Sequence, residues 1–163
     1  MVPVISVVGK SNSGKTTYLE KLIAELKRRS YKVAIVKHDV HGFEMDKPGK
    51  DTWRHSQAGA DIVCISSPAK MAMIKKVEQE MTLDQVIEYL DGVDLILTEG
   101  YKRESKPKIE VYRREACEQP LCDKQELMAL VSDVRLYEDV PHFGLDDAAG
   151  LVDYLENTVL KRQ

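Results

Sequence analysis

Gly9-Lys10-Ser11-Asn12-Ser13-Gly14-Lys15-Thr16-Thr17 constrains this chain more than any other stretch. Two glycines bracket four residues, and Lys and Thr follow the second, which is the spacing of a phosphate-binding loop. Gly9 and Gly14 let the backbone turn tightly and approach an anion. The amides between them can point inward around phosphate oxygens. Lys15 brings a point charge to the β- and γ-phosphates, and Thr16 brings a hydroxyl for magnesium. The flanks agree. Val4-Ile5-Ser6-Val7-Val8 reads as a buried parallel strand. Leu19, Leu22, Ile23 and Leu26 recur at helical spacing, so a helix aims its positive end at the loop. Lys27, Arg28 and Arg29 suit the negative end of that helix.

At 163 residues the chain is expected to be one phosphate-loop nucleotide-binding domain, 1–163. A formal net charge of −3 argues against a general nucleic-acid binder. No apolar run is long enough to span a bilayer. The apolar start, 2–8, is too short for a signal peptide and runs straight into the phosphate loop. A cytoplasmic protein is the expectation. Cys64, Cys117 and Cys122 are odd in number and lack the two-residue gap of a metal knuckle, so reduced, unligated thiols are expected.

Strand and helix signals alternate along the rest of the chain. Residues 31–37 read as a second strand, expected beside the first through a right-handed crossover. The polar loop 38–51, with Gly42 and Gly49 as pivots, lies at a strand's carboxyl end, where open α/β sheets bind ligands. A short helix at about 51–58 follows, with Asp51 as its cap and Gly59 at its end. Residues 61–65 form a strand, and 70–77 a second one antiparallel to it across the Ser66-Ser67-Pro68 turn. Thr82 and Gln85 make a capping box for a helix through Leu83, Val86, Ile87 and Leu90, closed at Gly92. Strands are expected at 93–98, 108–112 and, as the last central one, 127–131. Between the latter two, 113–124 is polar and irregular. A final helix starts near Asp146-Asp147. The fold class is α/β: a P-loop NTPase three-layer sandwich, with a mostly parallel central sheet flanked by helices and a small antiparallel portion.

Chemistry concentrates at strand ends. A triphosphatase of this type needs an acid at the end of a second buried strand to hold magnesium. Asp94 and Glu99 flank one such strand about 16 Å apart, so they cannot serve one metal. Glu99 is at the end that carries the phosphate loop, and Asp94 is a solvated residue at the strand's start. Lys15, Glu99 and Asp51 are thus the expected catalytic groups, and Thr16, Glu99 and Asp51 the magnesium shell. Lys37, His38, His41, Lys50 and Arg54 form a substrate or partner loop suited to anions. His38 and His41 lack the further ligands a metal site requires. Lys102, Arg103, Lys106 and Lys108 make a basic run suited to a phosphorylated substrate or partner. Asp133 stands after the last strand, where its carboxylate can take the N1 and N2 hydrogens of a guanine. Lys10 occupies the position of the signature lysine in dimeric nucleotide switches, although Ser11 and Asn12 replace the small glycines of that variant.

These residues together resemble the MobB family, the guanine-nucleotide-binding protein of molybdopterin guanine dinucleotide biosynthesis. The resemblance covers most of the chain. It is carried by residues 9–17, Lys37-His38 with His41, and Asp46-Lys47-Pro48-Gly49-Lys50-Asp51 leading to Arg54 and Ala58-Gly59-Ala60. It continues through 94–102 and Pro107-Lys108-Ile109-Glu110-Val111. It implies binding of GTP with Mg2+, weak GTP hydrolysis and a homodimer. It also implies help to the guanylyltransferase that joins GMP to molybdenum-molybdopterin, with molybdopterin itself a further candidate ligand. Two other readings compete. A small-molecule kinase would use Asp39 or Asp51 as base toward an acceptor hydroxyl. A non-enzymatic module would use the loop only to sense nucleotide.

Overall fold

Short apolar runs separated by amphipathic stretches fold as their periodicities require, and the computed structural model describes residues 2–160. The elements in order are β1 (Val4–Val8), α1 (Lys15–Arg28), β2 (Val33–Lys37), α2 (Asp51–Gln57), β3 (Ile62–Ser67), β4 (Lys70–Lys75) and α3 (Leu83–Ile87). They continue with β5 (Leu95–Glu99), β6 (Lys108–Tyr112), a 3-10 turn (Lys124–Glu126), β7 (Leu127–Ser132), β8 (His142–Phe143) and α4 (Ala148–Thr158). The chain groups into two compact units. One comprises the residues up to His38 and from Ile87 onward, the other Asp39–Val86.

The first unit holds a six-stranded sheet in the order β2-β5-β1-β6-β7-β8, with every pair parallel. This corrects the expectation that β2 lies beside β1, because β5 sits between them. Composition explains the exchange. Leu95, Ile96 and Leu97 are fully buried and need cover on both faces, whereas Ile35 of β2 is 47% exposed and tolerates an edge. Nor is β7 central, since the two-residue β8 lies outside it and makes it next to the edge.

Alternation along the strands divides the sheet's side chains between two faces. Ile5, Val7, Leu95, Leu97, Ile109, Val111, Ala129 and Val131 pack with Leu19, Leu22 and Leu26 of α1 and Leu151, Val152 and Leu155 of α4. Each fully buried leucine there contributes about 2 kcal/mol. On the opposite face Tyr112 and Leu130 cluster with Cys117 and Val140, which come from chain without regular structure. Asp147 caps α4 by accepting from the Gly150 amide at 2.9 Å.

Arg29 ties the two core helices together, reaching Glu25 at 2.8 Å, Asp153 at 2.5 Å and Glu156 at 2.7 Å. Hydrogen bonds from Arg28 and then Arg29 hold the Glu25 carboxyl down to about 2 from 4.5. The folded value lies below the unfolded one, so this stabilisation is full above pH 4.5 and is lost as pH falls through about 2. Glu25→Gln is therefore expected to lower the urea midpoint at neutral pH and to flatten its decline across that acid window. Chemical denaturation at several pH values checks this.

In the second unit β3 and β4 pair antiparallel, as the sequence leads one to expect, and α2 packs against β3. Thr82 and Gln85 make the reciprocal capping box at the start of α3, with bonds of 2.9 and 3.3 Å. Asp51 is not the cap of α2. Lys50 precedes that helix without a side-chain cap, and Asp51 is its first residue. An acid there still suits the positive end. The expected turn past the end of α2 is present, with Gly59 at φ +112°. No helix among the described residues is long and apolar enough to cross a membrane.

Candidate nucleotide site

The glycine-rich loop leads into α1 without capping it. Gly14, at φ 91°, starts α1 with no side-chain cap, and the first turn carries no acid. First-turn amides have no intrahelical acceptor, which is the arrangement that suits an anion at a helix start. Lys15 Nζ donates to the Lys10 carbonyl at 2.8 Å, and the Ser13 amide donates to the same oxygen at 3.2 Å. Ser13 is fully buried, and its Oγ has no hydrogen-bond partner among the described residues. Gly9 has φ +148°, and a Cβ there would lie 2.4 Å from the Val111 carbonyl oxygen. No other residue fits at that turn without moving backbone.

The parallel register brings the acid to the loop. Glu99 ends β5 opposite Val7 of β1, one residue before that strand ends. Thr16 Oγ1 donates to Glu99 Oε1 at 3.2 Å. Asp94 lies at the far end of the strand, where its Oδ2 accepts from the Lys32 amide at 2.7 Å. On its other side Glu99 pairs with Lys37 of β2, and the Glu99 carbonyl accepts from the His38 amide at 2.9 Å. The His38 ring stacks on Tyr101, with centroids 4.9 Å apart. Gly100 permits the approach, since a Cβ there would meet the His38 carbonyl at 2.9 Å. Burial pushes the Lys15 ammonium below 10.5 and Lys37 adds to the effect, while Glu99 and Cys117 oppose it. Lys15, Thr16, Glu99, Lys37 and His38 thus come together at one edge of the sheet.

Other expected residues fall elsewhere. Asp133 is exposed just past β7, and its Oδ1 accepts from the Arg114 amide at 3.1 Å. Because β6 alone separates β7 from β1, Asp133 stands two strand spacings, about 10 Å, across the sheet edge from the loop. Ser132 pins the same turn, donating to the Val134 carbonyl at 2.5 Å and meeting His142 Nε2 at 3.0 Å. Lys102 is exposed in the turn after Glu99. Lys108 departs from the basic-run expectation: it is 5% exposed in β6 and donates to Glu126, which ties it into the fold rather than offering it to a partner. His41, Lys50, Asp51 and Arg54 lie exposed in the second unit, with Asp51 3.9 Å from Arg54.

Two groups have positions to which the sequence reading gave no role. Glu110 is 1% exposed in β6, and its two oxygens accept from the Leu121 and Cys122 amides at 2.5 and 3.0 Å. It anchors the irregular stretch 113–124 beside the loop. An acid between Ile109 and Val111 of a buried strand is the signal for such an anchor. Tyr101 is the other, marked only by an aromatic residue following the acid and its glycine.

The family model for molybdopterin guanine dinucleotide synthesis protein B, MobB, matches residues 4–133. The molybdopterin-guanine dinucleotide biosynthesis adapter protein of Haemophilus influenzae is 35% identical over 159 residues, covering 96% of this chain and 89% of that protein. The protein of that name from Escherichia coli is 34% identical over 168 residues, covering 99% and 96%. The crystal structure of Bacillus subtilis MobB superposes with a TM-score of 0.76 at 26% identity, covering 99% of both chains.

Proposed function

This chain belongs to the MobB family, and from that premise we propose that it is a GTP-binding adapter of molybdopterin guanine dinucleotide biosynthesis. It grips Mg2+-GTP, hydrolyses it slowly and assists the guanylyltransferase that attaches GMP to the pterin cofactor. The observation that carries the reading is the 3.2 Å contact between Thr16 Oγ1 and Glu99 Oε1. It places a hydroxyl and a carboxylate, the two oxygen types magnesium accepts beside phosphate, at the mouth of an uncapped helix. The orphaned Ser13 Oγ is a further polar group for which a bound phosphate would supply a partner.

Lys15 and the amides from Lys10, Ser11, Asn12, Ser13 and Gly14 through Thr16 and Thr17 would hold the phosphates. Thr16 and Glu99 would hold the metal. Magnesium supplies charge neutralisation of the phosphates when bound. Asp133, with Oδ2 free of any partner among the described bonds, would accept from the guanine edge. Lys37, His38, His41, Lys50, Arg54 and Lys102 are the candidate contacts to substrate or partner. Slow turnover fits the absence of an assured arginine finger, a device worth about a thousandfold or more. The antiparallel hairpin leaves Ile62, Ile65, Met71 and Met73 between 42% and 66% exposed. Apolar surface of this kind supports a homodimer, with Lys10 as a candidate contact.

The test is addition of the purified chain to the guanylyltransferase reaction. The expected result is faster GMP attachment in the presence of GTP, with GTP hydrolysed by the chain alone only slowly. Nucleotide consumed in proportion to an added hydroxyl acceptor would instead establish the kinase reading.

A further inference from the structure

Glu99 is the last residue of β5. Strand ends open more readily than strand centres, yet this one carries a group whose position matters. Two neighbouring side chains close it. The ladder between β2 and β5 runs to Lys37 opposite Glu99, and the His38 amide adds one bond beyond it, donating to the Glu99 carbonyl at 2.9 Å. Gly100 then turns the chain at φ +100°, in the region that favours glycine. A Cβ at that position would lie 2.9 Å from the His38 carbonyl oxygen, so glycine also permits the close approach. The Lys102 amide tightens the turn by donating to the Gly100 carbonyl at 2.7 Å. Tyr101 is thereby brought against His38. The two rings stack with centroids 4.9 Å apart and planes inclined by 30°, and both side chains are half-buried.

The carboxylate of Glu99 has a single printed bond of its own, from Thr16 Oγ1 at 3.2 Å. One hydroxyl contributes only about 1 kcal/mol and leaves a strand-end side chain room to wander. A loose carboxylate must be ordered when a cation binds, which lowers affinity, and a pre-ordered one avoids that loss. We propose that His38 and Tyr101 are positioning residues for Glu99: their stacked rings clamp the ends of β2 and β5 together and so fix the Glu99 carboxylate beside Thr16. The proposal rests on the assignment of Thr16 and Glu99 to magnesium. It gives the His38 ring a use other than contact with a substrate or partner, and it gives Tyr101 a use where the sequence offered none.

Titration of GTP binding against Mg2+ tests the clamp, with GTP binding in EDTA as the reference. Tyr101→Ala and His38→Ala are each expected to raise the half-maximal Mg2+ concentration about fivefold, the size of a ring pair's contribution, and to leave binding in EDTA unchanged. Tyr101→Phe and His38→Phe keep a ring in place and should restore the unaltered value. The double alanine variant should be no worse than either single one, because both remove the same contact. On a Glu99→Gln background Tyr101→Ala should add nothing, because the residue it acts through has lost its charge. If one alanine variant does not fold, the other and Gly100→Ala read the same clamp. Unchanged Mg2+ dependence in the folded alanine variants overturns the proposal. So do additive effects of the two alanines, which would assign His38 a ligand contact of its own, and so does a further loss on the Glu99→Gln background. GTP binding by the unaltered chain that ignores Mg2+ sinks the magnesium assignment and the clamp with it, whereas an Mg2+ dependence that every variant retains sinks the clamp alone.

Discussion

Lys15→Ala is expected to weaken Mg2+-GTP binding by about a hundredfold or more, with little change in folding. The magnitude follows from what the lysine does. A charged donor beside a phosphate inside a partly desolvated site is worth about 3 kcal/mol or more when truncated. The ammonium is held in the loop by the Lys10 carbonyl at 2.8 Å, so it is in position before ligand arrives. Its burial, which pushes its proton affinity down, is a cost that a bound polyphosphate reverses. The fold should tolerate the change because the α1 core contacts run through Leu19, Leu22 and Leu26, on residues beyond the loop. Calorimetric titration together with a urea midpoint separates the two effects, and undiminished GTP affinity in a folded variant would refute the phosphate-loop assignment.

Glu99→Gln is expected to weaken the magnesium dependence of GTP binding by about tenfold, and Asp94→Asn to leave it nearly unchanged. An amide keeps the shape of the carboxylate and its bond with Thr16 but loses the charge a hard dication needs. About tenfold is the effect of losing roughly 1.4 kcal/mol of charge interaction. Asp94 accepts instead from the Lys32 amide at the opposite end of β5, so its change should appear in stability. Titrating nucleotide binding against magnesium for the two variants discriminates them. Equal shifts would overturn the assignment of Glu99 to the metal.

The two ends of β5 show why part of this site could be read from sequence. In a parallel sheet, all carboxyl ends face one edge, so a phosphate loop after β1 selects Glu99 over Asp94, and the fold sets Glu99 beside Thr16. The loop, the helix after it, the start of α4 near Asp147 and the capping box at Thr82 are local features with fixed spacings, and each is present. What could not be read was long-range. The order of β2, β5 and β1 depends on which strand can afford an exposed face, a comparison among strands far apart in sequence. Lys108 looked like one of a basic run until its alternation in β6 buried it against Glu126. Glu110 and the stack of His38 on Tyr101 depend on partners supplied by tertiary packing, which no spacing rule reports.

We propose that the loop from Gly9 to Thr17 serves GTP in particular. Titrating the purified chain with GTP and with ATP, both in magnesium, tests it most directly, and Asp133→Asn gives the matching control. The prediction is one saturable GTP site per chain, ATP at least tenfold weaker, and a loss of that preference in Asp133→Asn, because an amide no longer presents two acceptors to the guanine edge. Equal binding of ATP and GTP by the unaltered chain, or no saturable binding of either, would contradict it.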